Sequence, residues 1–212
     1  MAFLLSHWSE VSLLLWQHLQ MTLVTLAIAV VVALPLALLI QRYAWLSVPV
    51  MGILGIFYTI PSLALIIFLV PIFGLNATSV IAAMVVYTQV ILVRNLTVGL
   101  SGIDPAILEA ARGMGMNAWQ RWSWIQVPLV MPVFIAGVRV ATVVAIAIAT
   151  IGAKFNAGGL GTLLFDGIQT NRIDKIWVGA VAVAILALVI NSSLLWIERW
   201  SRQGAPASAL GK

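Results

Sequence analysis

Six carboxylates, two histidines and no cysteine are the groups this 212-residue chain offers for catalysis or metal binding. An enzyme needs a nucleophile with its base, a carboxylate pair or a metal cluster set in one layer. Glu10, Asp104, Glu109, Asp166, Asp174 and Glu198 form no such set, and His7 and His18 have no carboxylate or cysteine cluster around them. Neither a metal site nor a set of catalytic residues is therefore expected. The lack of cysteine excludes disulfides, thiolate sites and cysteine nucleophiles. No glycine-rich phosphate loop of the Walker type is present, so the chain is not expected to hydrolyse ATP itself. What polar chemistry it has gathers in one stretch, "EAARGMGMNAWQRWSWIQVP", from Glu109 to Pro128.

That stretch carries its own local instructions. Asp104 can cap a helix N-terminus, and Pro105 suits the first helical position, where its missing N–H costs nothing. Ala106 to Arg112 favour helix, and Gly113 and Gly115 allow the positive φ that turns the chain out of it. Asn117 followed by Gln120 predicts a capping box for a second short helix, which Pro128 limits. Ala110 and Ala111 are small enough for another protein to approach the backbone closely. Glu109 and Arg112 share a helix face and can pair with each other or with a partner.

The elements that position this island are membrane helices. The chain is 63% hydrophobic and 8% charged, with mean hydropathy +1.12, whereas a soluble domain has about 25% charged residues. Five segments reach the roughly 20 apolar residues of a membrane span: Leu19–Ile40, Pro49–Val70, Thr78–Val93, Leu129–Ile151 and Ile176–Ile197. With the N-terminus outside, the inner segments hold Arg42, Arg94, Arg112, Arg121, Arg199, Arg202 and Lys212, and the outer ones only Lys154, Arg172 and Lys175. The positive-inside rule then predicts N-terminus out, C-terminus in and the island in the cytoplasm. The net charge of +5 is read as this loop bias and not as nucleic-acid binding. Trp45, Trp177, Trp196 and Trp200 fall near span ends, where amphipathic rings settle. Residues 1–18 hold no Lys or Arg, unlike a secretory signal; they are expected to form an outer N-terminal segment. Residues 19–198 form the membrane domain, with the island (about 102–128) in it, and 199–212 a cytoplasmic tail.

Glu109-Ala110-Ala111, three residues, Gly115, nine residues, Ile125, one residue and Val127-Pro128 resembles the EAA loop of ABC importer permeases, with Val127 in place of leucine. "TIPSLAL" (59–65), "GIDPAILEAARGMGM" (102–116), "AGVRVATV" (136–143) and "AGGLG" (157–161) are similar to the permeases of osmoprotectant importers, which handle glycine betaine, carnitine and choline, and the likeness covers about residues 18 to 198. It implies an all-α integral membrane protein of five transmembrane helices in the type I importer (methionine-importer-like) fold. A cytoplasmic coupling helix-turn-helix lies between helices 3 and 4. By this resemblance, Glu109, Ala110, Ala111, Arg112, Gly115, Ile125 and Pro128 couple the permease to a cytoplasmic ABC ATPase, which holds the ATP and Mg. An extracytoplasmic substrate-binding protein and a second permease, the same or a paralogue, complete the system in the bacterial inner membrane. Methionine and other small-solute importers share the architecture, so an amino-acid permease is the alternative. Lys154 and Asn156 depart from the family, which has an apolar residue and glycine there; Gln126 stands where an acid is frequent.

Tyr58, Thr59, Pro61, Tyr87, Gln89, Asn95 and Arg139 are candidates for the translocation path, and Lys154, Asn156, Gly158 and Gly159 for an outer gate. Thr88 belongs with the polar path candidates. Pro35 and Pro61 are expected to kink their helices. Arg139, inside the fourth span, is expected to face protein, water or headgroups, because a charge at a helix centre costs about 2.5–3.5 kcal/mol on insertion scales. An ion-coupled secondary transporter usually carries acids or histidine within its spans; here all six acids lie outside the expected ones. Five helices are few to enclose a pathway, so a dimer is expected.

Overall fold

The computed structural model describes residues 7–203, and all its regular elements there are helical. Helix α1 (Trp8–Arg42) leads through a short 3-10 turn (Ala44–Leu46) to α2 (Ser47–Thr59) and α3 (Ser62–Phe73). Then follow α4 (Ala77–Ser101), α5 (Pro105–Gly113) and α6 (Ala118–Arg121). A π turn (Trp122–Gln126) feeds α7 (Val127–Gly152). A 3-10 turn (Ala153–Phe155), α8 (Gly161–Gln169) and α9 (Ile173–Gln203) complete the chain. Four helical segments are long and apolar enough to cross a membrane, and the bent α2–α3 pair makes up to five.

Three boundaries differ from expectation. Of the expected N-terminal segment 1–18, residues 8–18 are the first turns of α1, and residues 1–6 lie outside the described residues. The expected tail from residue 199 begins as helix, since α9 runs to Gln203; residues 204–212 lie outside the described residues. The second span is broken, not merely kinked. α2 and α3 meet at 97°, and at about 1.5 Å per residue neither crosses a bilayer core of about 30 Å alone. The cause is local. Pro61 drives Ile60 out of the helical region, to φ −67° and ψ 129°, as the residue before proline must go. Pro61 itself takes ψ 133° and starts α3. Pro35, by contrast, sits inside the unbroken α1.

α4 is the axis of the bundle, packed between α1 and α7 and against α2 and α3. Asn76 starts it by accepting the Thr78 N–H at 2.8 Å. Close approach comes from small residues every four positions: Ala29, Ala33 and Ala37 on α1 and Ala141, Ala145 and Ala149 on α7 are all fully buried, a spacing that lets helix backbones come near. The corresponding run on α9 behaves differently, with Ala184 exposed. α9 joins the bundle by an apolar cluster of Leu186, Val178 and Ile190 with Val11, Leu14, Leu160 and Leu163, and by charges at both ends. At the N-terminal end of α9 the Lys175 ammonium lies 3.2 Å from Asp166 and 3.7 Å from Glu10. At the other end Glu198, only 3% exposed, meets Arg139 of α7 at 3.2 Å and Arg202 at 2.7 Å.

Candidate functional site

The island forms a capped helix and a tight turn. The Asp104 carboxylate accepts the Ala106 N–H at 2.9 Å, with Pro105 at the first helical position. At the far end the Met116 N–H reaches the Ala111 carbonyl (3.1 Å) and the Gly115 N–H the Arg112 carbonyl (2.9 Å). These are the two bonds of a Schellman stop, which needs a left-handed residue between them. Gly115 supplies it at φ +79°, whereas Gly113 does not take a positive φ. The Asn117 and Gln120 pair forms the full capping box, and the Arg121 guanidinium donates to the Met116 carbonyl at 2.6 Å, bracing the turn from behind.

The expected second short helix is not independent. α6, the π turn and α7 run on as one apolar helical segment, so the turn is built directly onto a span. The π turn sits just ahead of Pro128. Proline lacks the N–H and its ring crowds the carbonyl four residues back; widening that turn accommodates both. Ile125 is half-buried and packs on the apolar cluster shared by α1, α4 and α7, with Trp122 beside it. Trp119 and Trp124 are exposed.

Glu109, Ala110, Arg112, Gly115 and Pro128 are exposed, but Ala111 is completely buried. The expectation that both alanines face outward is corrected for Ala111: its small side chain lets the helix lie against its own chain. Among the described residues neither Glu109 nor Arg112 enters an ion pair or side-chain hydrogen bond. Two opposite charges one turn apart are left unengaged, beside a rigid glycine turn.

The path candidates separate. Tyr58 and Tyr87 come together, with ring centroids 5.6 Å apart and planes tilted by 54°. Thr59 bonds back to Ile56 O at 2.7 Å, and Thr88 to Met84 O at 2.9 Å. Pro61 stands at the break. Gln89 is buried and donates to the Ala29 carbonyl at 3.1 Å, tying α4 to α1. Asn95 bonds to Ile91 O at 2.8 Å and fills the space that a Cβ on Gly137 would need. Arg139 pairs with Glu198, an ion contact without hydrogen-bond alignment. Glu198, which sequence reasoning had set just past the fifth span, is buried; its spacing of four to Arg202 was the available signal.

Just past the end of α7, Lys154 lies 4.7 Å over the Phe165 ring. Asn156 adopts φ 58°, the left-handed region that asparagine tolerates best after glycine. Gly158 and Gly159 are also left-handed. The Gly159 N–H donates to Gln17 Oε1 at 3.0 Å, and a Cβ on Gly158 would collide with that same oxygen. Gln17 was missed from sequence because it lies 142 residues away. Asn156→Gly should leave the melting temperature nearly unchanged. Asn156→Val, forced left-handed, should destabilise by about 1–2 kcal/mol; equal melting of the two variants in detergent would contradict this.

Residues 12–205 match the family described as "Binding-protein-dependent transport system inner membrane component". The chain belongs to that family, and is thus a multi-pass inner-membrane permease component of an ABC importer, a transport subunit and not a catalytic one. It is 34% identical over 194 residues to the osmoprotectant import permease protein OsmW of Salmonella typhimurium, covering 89% of this chain and 90% of that one. It is 36% identical to the carnitine transport permease protein OpuCB of Listeria monocytogenes (86% and 84% covered). It is 32% identical to the choline transport system permease protein OpuBB of Bacillus subtilis (93% and 91%). Among solved structures, it is similar in fold to a chain of the inward-facing MetNI methionine ABC transporter, with TM-score 0.78, 24% identity and coverage of 91% and 96%. The type I importer fold that the family resemblance implies is the fold observed.

Proposed function

We propose that this permease imports quaternary-ammonium osmoprotectants of the glycine betaine, carnitine and choline kind. ATP and Mg are held by a cytoplasmic ABC ATPase that docks on the 102–128 loop. The observation that carries the coupling role is the exposed, unpaired Glu109 and Arg112 beside the rigid Gly115 turn, on a segment continuous with a span. The substrate class is supported by the printed names of the relatives at 32–36% identity. A methionine or amino-acid substrate is the second reading, favoured by the fold likeness to the methionine transporter. An extracytoplasmic binding protein delivers the solute, and two permeases, identical or paralogous, enclose the path. Alternating access then follows from rocking of the paired bundles when the ATPase pulls the loops together.

Uptake of labelled choline, glycine betaine and methionine into cells expressing the complete system separates the two readings. Uptake of methionine alone would overturn the first. Orientation has its own test. With N-terminus out and C-terminus in, Ser101→Cys and Ser201→Cys should both react with a membrane-impermeant maleimide only from the cytoplasmic side. External labelling of either would invert the topology.

A further inference from the structure

We propose that the break in the second span is a transient binding site for the quaternary ammonium group of the cargo, walled by the rings of Tyr58 and Tyr87; this rests on the substrate class proposed above. The two side chains come from different helices, α2 and α4, and meet at 5.6 Å with a 54° tilt, so the rings form a corner instead of a stack. Tyr87 is 7% exposed and fixed in the outer apolar cluster. Tyr58 is 44% exposed and leaves ring surface free. A ring face attracts a cation through its quadrupole, and the attraction strengthens where water is scarce.

The second observation is the helix end beside the rings. α2 stops at Thr59, one residue after Tyr58, and α3 departs at 97°. The last carbonyls of a helix have no partner within it and carry its negative partial charge. In transporters, interrupted helices place such ends near the bilayer midplane, where they hold cations. Thr59 Oγ1 is turned back on Ile56 O and the Ile60 N–H donates to Phe57 O at 3.3 Å, so the Tyr58 and Thr59 carbonyls are the two left to face a cation. A third observation concerns the phenols. Neither the Tyr58 nor the Tyr87 hydroxyl has a hydrogen-bond partner among the described residues, although Tyr87 sits near the middle of α4. A phenol facing lipid tails there would remain unsatisfied; a wet, polar passage satisfies it.

α2, α3 and α4 contain no Asp or Glu. The site therefore draws a cation with ring faces and partial charges alone, which makes it weak. Weak binding suits a passage whose cargo must leave again. A methylated ammonium, large and poorly hydrated, fits it better than a primary ammonium, which needs hydrogen-bond acceptors on every N–H.

The test uses the complete transporter, with its ATPase and binding protein, in proteoliposomes, with choline as the probe and rates compared at equal amounts of assembled complex. Tyr58→Phe should import choline within about twofold of wild type, because the ring face remains. Tyr58→Leu should fall by about fivefold or more. Placing mono-, di- and trifluorinated phenylalanine at position 58 should lower the rate stepwise, since fluorine drains the ring's negative face without changing its packing. A flat fluorine series, or wild-type import by Tyr58→Leu, would overturn the site while leaving the substrate class standing. Wild-type protein that imports methionine but neither choline, carnitine nor glycine betaine would overturn the substrate class and this site together.

Discussion

Gly115→Pro should reduce substrate-stimulated ATP hydrolysis by the assembled transporter to its unstimulated rate while the chain still inserts normally. Two physical losses coincide at this residue. Proline holds φ near −65°, but the turn requires φ +79°. Proline also lacks the N–H that closes onto the Arg112 carbonyl. The stop then unwinds, and Glu109 and Arg112 lose their fixed direction. Glu109→Lys should have the same outcome by another route: the helix and turn survive, but the charge offered to the partner is reversed. The measurement is ATPase activity with and without loaded binding protein, beside membrane level and complex assembly. Normal stimulation in either variant would remove the loop from the coupling role.

The second large effect is on stability. Arg139→Ala should destabilise the protein by about 3 kcal/mol, the low end for breaking a buried ion pair. The low end applies because Arg202 remains 2.7 Å from Glu198 and holds part of the carboxylate's charge. The expensive state is the carboxylate itself, nearly without water. Converting Arg139 and Glu198 together to methionine should therefore recover most of the loss, since no buried charge remains and Arg202, largely exposed, returns to solvent. Thermal unfolding in detergent distinguishes these. A double variant less stable than Arg139→Ala would show that the pair contributes more than its desolvation takes away.

The island was the most legible part of the molecule because its signals are local. Asp104, Pro105, Gly115, Asn117 and Gln120 each act within three or four residues, and each does what its type requires. The bundle was legible as apolar length. What could not be read is set by partners distant in sequence. Pro61 announced a disturbance, but only the packing of two short helices on α4 decides that it is a 97° break. Ala111 and Ala110 are identical in type, and their opposite burial depends on which face the rest of the chain covers. Glu198 reads as one more charge in a basic tail until α7 brings Arg139 beside it. Asn156 reads as a departure from a glycine, and its backbone takes the left-handed conformation that glycine favours. Gln17 had no signal at all, since its role is to meet a backbone N–H on a loop formed much later in the chain.

The run from Ala118 to Gly152 can also be considered as a machine part. At 1.5 Å per residue it is a rod of about 50 Å, with the Gly115 turn at one end and the loop clasped by Gln17 at the other. A rod of that length tilted by about 5° about one end sweeps the other through about 4 Å, more than the length of a hydrogen bond. If the ATPase docks at the Gly115 turn as proposed above, a small displacement imposed there becomes a stroke long enough to part the Gln17–Gly159 contact at the opposite end. The π turn and Pro132, the two interruptions of the rod's regular hydrogen bonding, would then set how much of the imposed motion arrives there and how much is lost to bending.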